Sequence, residues 1–275
     1  MNARGPLTGP KLERTAGDAA PVIDRLVRFG FGAKGIVTIL VGGLALRYAM
    51  RWGGGVTGPQ GAIESVLDEP FGRVILALLA FGLGGYALWM FVAALIDADR
   101  KGAGFRGLAE RGGFFVTGIG YALLAYATFN LLRGRGGGGM GLDELAASVL
   151  TPRVGRWVVG LVGGIVMTAG LLQLRLGITA GFRDSLRAGM SRLERVVTVA
   201  SGSAGYMTLG VLSLMVGYSL VQVAVRYDPS EAGGWDEALW LLAGLGEGRW
   251  LLGATAMGLI LYGLYLVLLT RYRSL

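Results

Sequence analysis

The chain of 275 residues is predicted to be an all-α integral membrane protein. Six transmembrane helices are expected as three parallel helical-hairpin repeats with interfacial amphipathic helices. Three observations predict this. First, 53% of the residues are hydrophobic, 16% are charged and 50 are Gly, against about 25% charged and about 7% Gly in a soluble domain. Second, six long runs are nearly free of charge. Third, landmark residues recur along the chain at a fixed spacing. The mean hydropathy of +0.57 excludes a disordered chain. The Gly residues follow no G-X-Y period, which excludes collagen.

The elements follow in order. Residues 1–21 are polar, carry Gly5, Pro6, Gly9 and Pro10, and lack the apolar core of a signal peptide. They are expected to be a disordered cytoplasmic N-terminus. Val22, Ile23, Leu26 and Val27 then mark a short amphipathic stretch. A hydrocarbon core of about 30 Å needs about 20 apolar residues as helix. The runs 30–50, 74–96, 112–132, 157–174, 196–225 and 250–270 meet that need. Lys34 and Arg47 fall inside the first run, each about a turn from an end, where snorkelling to the interface is expected. Gly134 to Gly141 is expected to be a flexible connection. Phe182, Leu186, Met190 and Leu193 lie at helical spacing among Arg183, Arg187 and Arg192, which suggests another interfacial helix.

The recurrence defines three units: 22–104, 105–181 and 182–275. Arg28, Arg111 and Arg195 each precede an odd-numbered span. Seven residues later stand Gly35, Gly118 and Gly202. Gly72-Arg73, Gly155-Arg156 and Gly248-Arg249 each open an even-numbered span, and Tyr86, Ala169 and Tyr262 follow thirteen residues after the Arg. The first two copies are 83 residues apart; the third is offset by 84 in its first half and, after a longer outer loop, by 93. Before each Gly-Arg comes an apolar stripe: Ala62, Ile63, Val66, Leu67; then Leu142, Leu145, Ala146, Val149; then Trp235, Ala238, Leu239, Leu242. The last two follow i, i+3, i+4, i+7, the pattern of an amphipathic helix lying on the membrane surface. Asp143 and Asp236 sit near the starts of these helices, where the dipole favours a carboxylate. Each unit has an even number of spans, so the copies share one orientation about a pseudo-threefold axis.

Basic residues set the expected topology. The side with both termini carries 17 Lys/Arg and the other side 9, which places both termini in the cytoplasm. The net charge of +8 then implies anionic lipid head groups at the cytoplasmic face as partners. The basic residues are dispersed at membrane edges, which argues against nucleic acid. Partner proteins and homo-oligomers stay open.

Several stretches resemble the bacterial membrane family called domain of unknown function 1206. They are Arg28-Phe29-Gly30-Phe31-Gly32-Ala33-Lys34-Gly35-Ile36-Val37, Pro70-Phe71-Gly72-Arg73, Gly82-Leu83-Gly84-Gly85-Tyr86-Ala87-Leu88-Trp89, and Leu261-Tyr262-Gly263-Leu264 before Arg271-Tyr272-Arg273. The resemblance covers about residues 22–275 and implies three tandem two-span repeats, with no activity attached. Copy two departs from it, with Thr117 and Ala169 in place of the Lys and Tyr. Mitochondrial carriers also have three two-span repeats, but their P-x-[DE]-x-x-[KR] signature is missing after Pro70 and Pro152.

The chain has no His and no Cys, which removes histidine-ligated haem, imidazole general bases, thiolate clusters and Cys nucleophiles. No Asp or Glu lies inside the six runs, so carboxylate-driven coupling loses its usual residue. No catalytic residue, metal or cofactor is expected. The binding candidates are Lys34 and Arg47 as anion contacts, Arg73, Arg156 and Arg249 as an outer ring, and mid-span Tyr86 and Tyr262. Asn130, Gln173 and Gln222 are expected at helix interfaces. Gly82, Gly84, Gly85, Gly160, Gly164, Ala254 and Gly258 read as small faces for helix packing. One function class is a channel or transporter for a small solute or ion along the pseudo-axis. A second is a non-catalytic scaffold or lipid- or partner-binding envelope protein. A lipid head-group enzyme would have to use outer acids such as Asp68, Glu69, Asp143 and Glu144.

Overall fold

Apolar runs longer than the hydrocarbon thickness must close their own backbone hydrogen bonds, and helices do so. The computed structural model describes residues 10–96, 104–135, 155–185, 191–228 and 232–272. These form α1 (Pro10–Ala49), α2 (Pro59–Glu64), α3 (Gly72–Ile96), α4 (Phe105–Leu132), α5 (Gly155–Thr179), a 3-10 turn (Gly181–Ser185), α6 (Arg192–Arg226), α7 (Trp235–Gly244) and α8 (Gly248–Tyr272). Among the described residues there is no strand. Six helices, α1, α3, α4, α5, α6 and α8, are long and apolar enough to cross a membrane. α1 begins at Pro10, so helix replaces the disorder expected over residues 10–21.

The spans form a closed ring in chain order, α8 packing back on α1. Its most extensive contacts are α5 with α6, α8 with α1 and α3 with α4. Each of these seams joins one sequence repeat to the next. Contacts within a hairpin are smaller, and α4 meets α5 only slightly.

Glycine explains the seams. A Cβ on Gly35 of α1 would lie 2.9 Å from the Gly263 carbonyl oxygen of α8, and one on Gly42 2.8 Å from that of Ala256. In the α5–α6 seam a Cβ on Gly170 would lie 2.9 Å from the Gly210 oxygen, and one on Gly163 2.9 Å from that of Gly217. In the third seam a Cβ on Gly118 of α4 would meet Phe91 and Met90 of α3 at 2.9–3.3 Å. Lipid tails are as apolar as the side chains, so association in a membrane depends on such close backbone approach. The small residues recur every seven positions. In the expected G-x-x-x-G pair, Gly160 approaches Ala224 while Gly164 has open space.

This packing corrects the alignment of the third copy. Gly35 faces Gly263, and its counterpart in α6 is Gly210, which faces Gly170, not Gly202. Gly30 presses on the Tyr86 backbone, and Gly205 presses on Tyr262 in the same way. The Arg28 guanidinium donates to the Thr270 carbonyl at 3.3 Å, and Arg111 Nε to that of Ala94 at 2.7 Å. The third copy has Ser203 at that place, whose carbonyl lies against Gly177. The extra residues therefore lie before Ser203, on the side of the termini and partly in the first turns of α6, and not in the outer loop. Arg195 and Gly202 match the motif by spacing alone.

The far end, opposite the termini, holds the corners. Gly72 and Gly248 begin α3 and α8 as expected. A Cβ on Gly72 would run into the Val66 carbonyl, and one on Gly248 into that of Ala243. α7 buries Ala238, Leu239 and Leu242, the expected face. α2 is shorter than its stripe and buries Ala62 and Ile63. Asp236 of α7 accepts from the Gly58 amide and from Thr57 Oγ1, tying the two far-end helices together. The second stripe, 142–149, with Asp143 and Glu144, lies outside the described residues, as does most of the Gly134 to Gly141 connection. At the other end, Phe182 is buried inside the protein, not laid on lipid. α6 then starts on a capping box: Glu194 N donates to Ser191 Oγ at 3.2 Å and Ser191 N to Glu194 Oε2 at 2.9 Å.

Valine at Gly35 or Gly210 is expected to lower stability by about 1–3 kcal/mol through overpacking. Valine at Gly164, where space is open, is expected to leave it unchanged. Thermal unfolding of the purified variants in detergent checks both.

Candidate functional site

Where the ring closes, polar and aromatic side chains from five spans meet. Lys34 lies on α1, seven residues after the span begins at Val27, or about 10 Å along the axis. Its amine does not snorkel to the interface as expected. It donates to the Tyr86 hydroxyl of α3 at 2.9 Å. It lies 4.7 Å from the Tyr86 ring centroid, 5.1 Å from Tyr121 of α4 and 5.7 Å from Tyr262 of α8. Tyr206 of α6 stacks edge-on against Tyr262 at 5.4 Å.

Local sequence explains the placement. Gly30 and Gly205 let α1 and α6 press on the backbones of Tyr86 and Tyr262, so each phenol is aimed inward and buried. Tyr86 meets Tyr121 at 4.8 Å and Phe31 at 5.2 Å, both edge-on, the arrangement ring quadrupoles favour. Tyr262, Tyr206, Tyr265 and Phe182 form a second group with centroids 5.2–6.0 Å apart. Lys34 bridges the two groups. α5 is the span that contributes no aromatic ring here; Ala169 stands where its counterparts carry Tyr86 and Tyr262.

The electrostatics are lopsided. Placing a cation in an apolar interior is costly unless it is compensated. Tyrosine faces attract an ammonium, by about 2 kcal/mol or more when water is excluded, and the Tyr86 oxygen accepts one hydrogen bond. The six apolar runs contain no carboxylate to pair with it. An ammonium has three donors, so the cluster has capacity for an added acceptor. Among the described residues no group of His, Cys, Asp and Glu could hold a metal.

The other candidates lie elsewhere. Arg47 is exposed at the far end, with Nε 3.5 Å from the Trp52 carbonyl, and there the snorkelling reading fits. Arg73, Arg156 and Arg249 stand in the first turns of α3, α5 and α8, all exposed. Arg156 lies 4.9 Å from the Trp157 ring and Arg249 5.4 Å from Trp250. Arg249 Nε also donates to the Ala49 carbonyl at 3.1 Å. Gln173 Oε1 accepts from Ser213 Oγ across α5–α6 at 3.3 Å, while Gln222 bonds Tyr218 on its own helix. Structure therefore unites Lys34, Tyr86 and Tyr262 and leaves the arginines apart. Sequence reasoning missed Tyr121 and Tyr206. A signal for Tyr121 existed: in the corrected alignment its position is polar in every copy, as Thr38, Tyr121 and Ser213.

Comparison with known proteins agrees with this geometry. The family model described as Domain of Unknown Function (DUF1206) matches residues 29–97, 112–180 and 204–273. These starts align Gly30 with Gly113 and Gly205, and Gly35 with Gly118 and Gly210, the equivalence that the seams show. The uncharacterized protein YxxB of Bacillus subtilis (strain 168) is 31% identical over 259 residues, spanning 94% of each chain. No solved structure matches.

Two substitutions separate packing from charge in the cluster. Tyr86→Phe removes the hydroxyl that the buried amine uses and is expected to cost about 1–3 kcal/mol. Lys34→Met removes the charge itself and is expected to leave stability unchanged or higher. Unfolding of the two variants side by side checks the contrast.

Proposed function

The chain belongs to the DUF1206 family, and from that premise we propose that this multi-pass membrane protein binds a small anion at the Lys34 amine, on a path along the axis of the helix ring. The observation that carries the reading is the amine itself. It sits among three tyrosine rings and one phenol oxygen, with no carboxylate in any of the apolar runs. An intramembrane cation in such surroundings marks an ion or substrate path by default. Tyrosine hydroxyls supply further donors for an anion that has left its water. The same donors suit binding and passage.

The membrane is proposed to be the bacterial inner membrane, with both termini cytoplasmic, on the excess of Lys/Arg at that end. Lys34 then lies in the cytoplasmic half of the path, and anionic head groups gather around the basic segments beside it. Because the chain has no Cys, single-cysteine labelling reads this directly. In intact cells Gly55→Cys is expected to react with an impermeant maleimide and Ser274→Cys is not; the reverse pattern overturns the orientation.

The function test uses purified protein in liposomes loaded with chloride, nitrate or acetate in turn. At least one anion is expected to move faster than in empty vesicles, and Lys34→Met to reduce that flux at least tenfold. Flux that Lys34→Met leaves intact, or no flux with any of these anions, counts against the proposal and favours a scaffold or partner-binding role.

A further inference from the structure

The far end of the ring carries a second basic feature, about 22 Å along α1 from Lys34. A cleft of about 420 Å³ opens between the end of α1, the turn after it, α7 and the start of α8. That volume is within the about 300–1,000 Å³ typical of small-ligand sites. Arg51 and Arg249 line it, together with Tyr48, Gly53, Gly54 and Leu252, and no lining residue is acidic. Arg47 adds a third cation at the edge: its Nε is 3.9 Å from where a Cβ on Gly54 would stand.

The two lining arginines are positioned by the fold. Arg249 Nε is held by the Ala49 carbonyl at 3.1 Å, and its guanidinium lies 5.4 Å from the Trp250 ring. Four of its five N–H donors lie beyond that one bond. Arg51 has a left-handed backbone, with φ of 60°, and Gly53 and Gly54 follow at 86° and 90°. The left-handed Arg51 caps the C-terminus of α1, with the Trp52 amide donating to the Arg47 carbonyl at 3.0 Å. Arg51 is exposed and lines the cleft beside Arg249. Like charges gathered without an acid repel one another, and a bound anion would relieve them. Guanidinium forks match the oxygens of a phosphate in pairs. Ala243 and Leu252 give the cleft an apolar wall.

We infer that the cleft of Arg51 and Arg249 binds a phosphate group, carried either by a lipid head group or by a soluble phosphate. The site is independent of the Lys34 reading, and its test includes Lys34→Met as a control that keeps binding. Full-length protein in detergent is incubated with inorganic phosphate and followed by thermal shift. In parallel it is incubated with phosphatidylglycerol or with phosphate-free diacylglycerol and followed by native mass spectrometry. A shift with inorganic phosphate assigns a soluble ligand, and retention of phosphatidylglycerol over diacylglycerol assigns a lipid. In either arm Arg51→Gln and Arg249→Gln are expected to weaken binding at least tenfold. Arg249→Gln also loses the bond to α1, so Arg51→Gln, an exposed turn residue, carries the test if the first fails to fold. Binding in neither arm, or binding that Arg51→Gln leaves unchanged, overturns the inference.

Discussion

Helices in this protein pack closely at three seams, backbone against backbone at two of them, and the rest of the molecule is built on that contact. In a membrane, burying an apolar side chain against another helix gains little over leaving it in lipid. What favours association is close packing, and glycine permits it: Gly35 against Gly263 and Gly210 against Gly170 leave no room for a Cβ. The seams run between sequence repeats, α8 to α1, α3 to α4 and α5 to α6. Three hairpins with weaker internal contacts are thus locked into one ring. The heavy use of Gly, 50 residues in all, becomes intelligible at these positions and at the corners before Arg73 and Arg249.

The ring in turn creates the interior in which Lys34 sits. On an isolated α1 the amine would reach the nearer interface. In the closed ring, Gly30 and Gly205 bring α3 and α8 so near that Tyr86 and Tyr262 enclose it instead. Pseudo-symmetry supplies the tyrosines, and its failures supply the asymmetry. Lys34 has Thr117 and Leu209 as counterparts, and Ala169 replaces a phenol on α5. A single cation therefore occupies one side of the interior.

Much of the fold was legible in the sequence. The six runs became six helices with nearly the expected limits, because length and hydropathy are local properties. Gly72-Arg73 and Gly248-Arg249 begin helices, because a sharp corner needs a residue without a side chain. The stripe Trp235, Ala238, Leu239 and Leu242 formed α7 for the same local reason. The site was legible in part: Lys34, Tyr86 and Tyr262 stand out as polar groups in apolar runs. Tyr121 and Tyr206 did not, since an aromatic residue in a span is ordinary until its neighbours are known.

The sequence by itself determined the elements, their count and their recurrence, since each depends on residues close together along the chain. Tertiary structure decided three further matters. It decided the register of the third copy, where Arg195 and Gly202 imitate the motif and Gly210 makes the contact. It decided which glycines face a helix and which face open space, separating Gly163 from Gly164. And it decided that Lys34 turns inward. Each of these depends on the distance between helices remote in sequence, and that distance is set by where two backbones can touch.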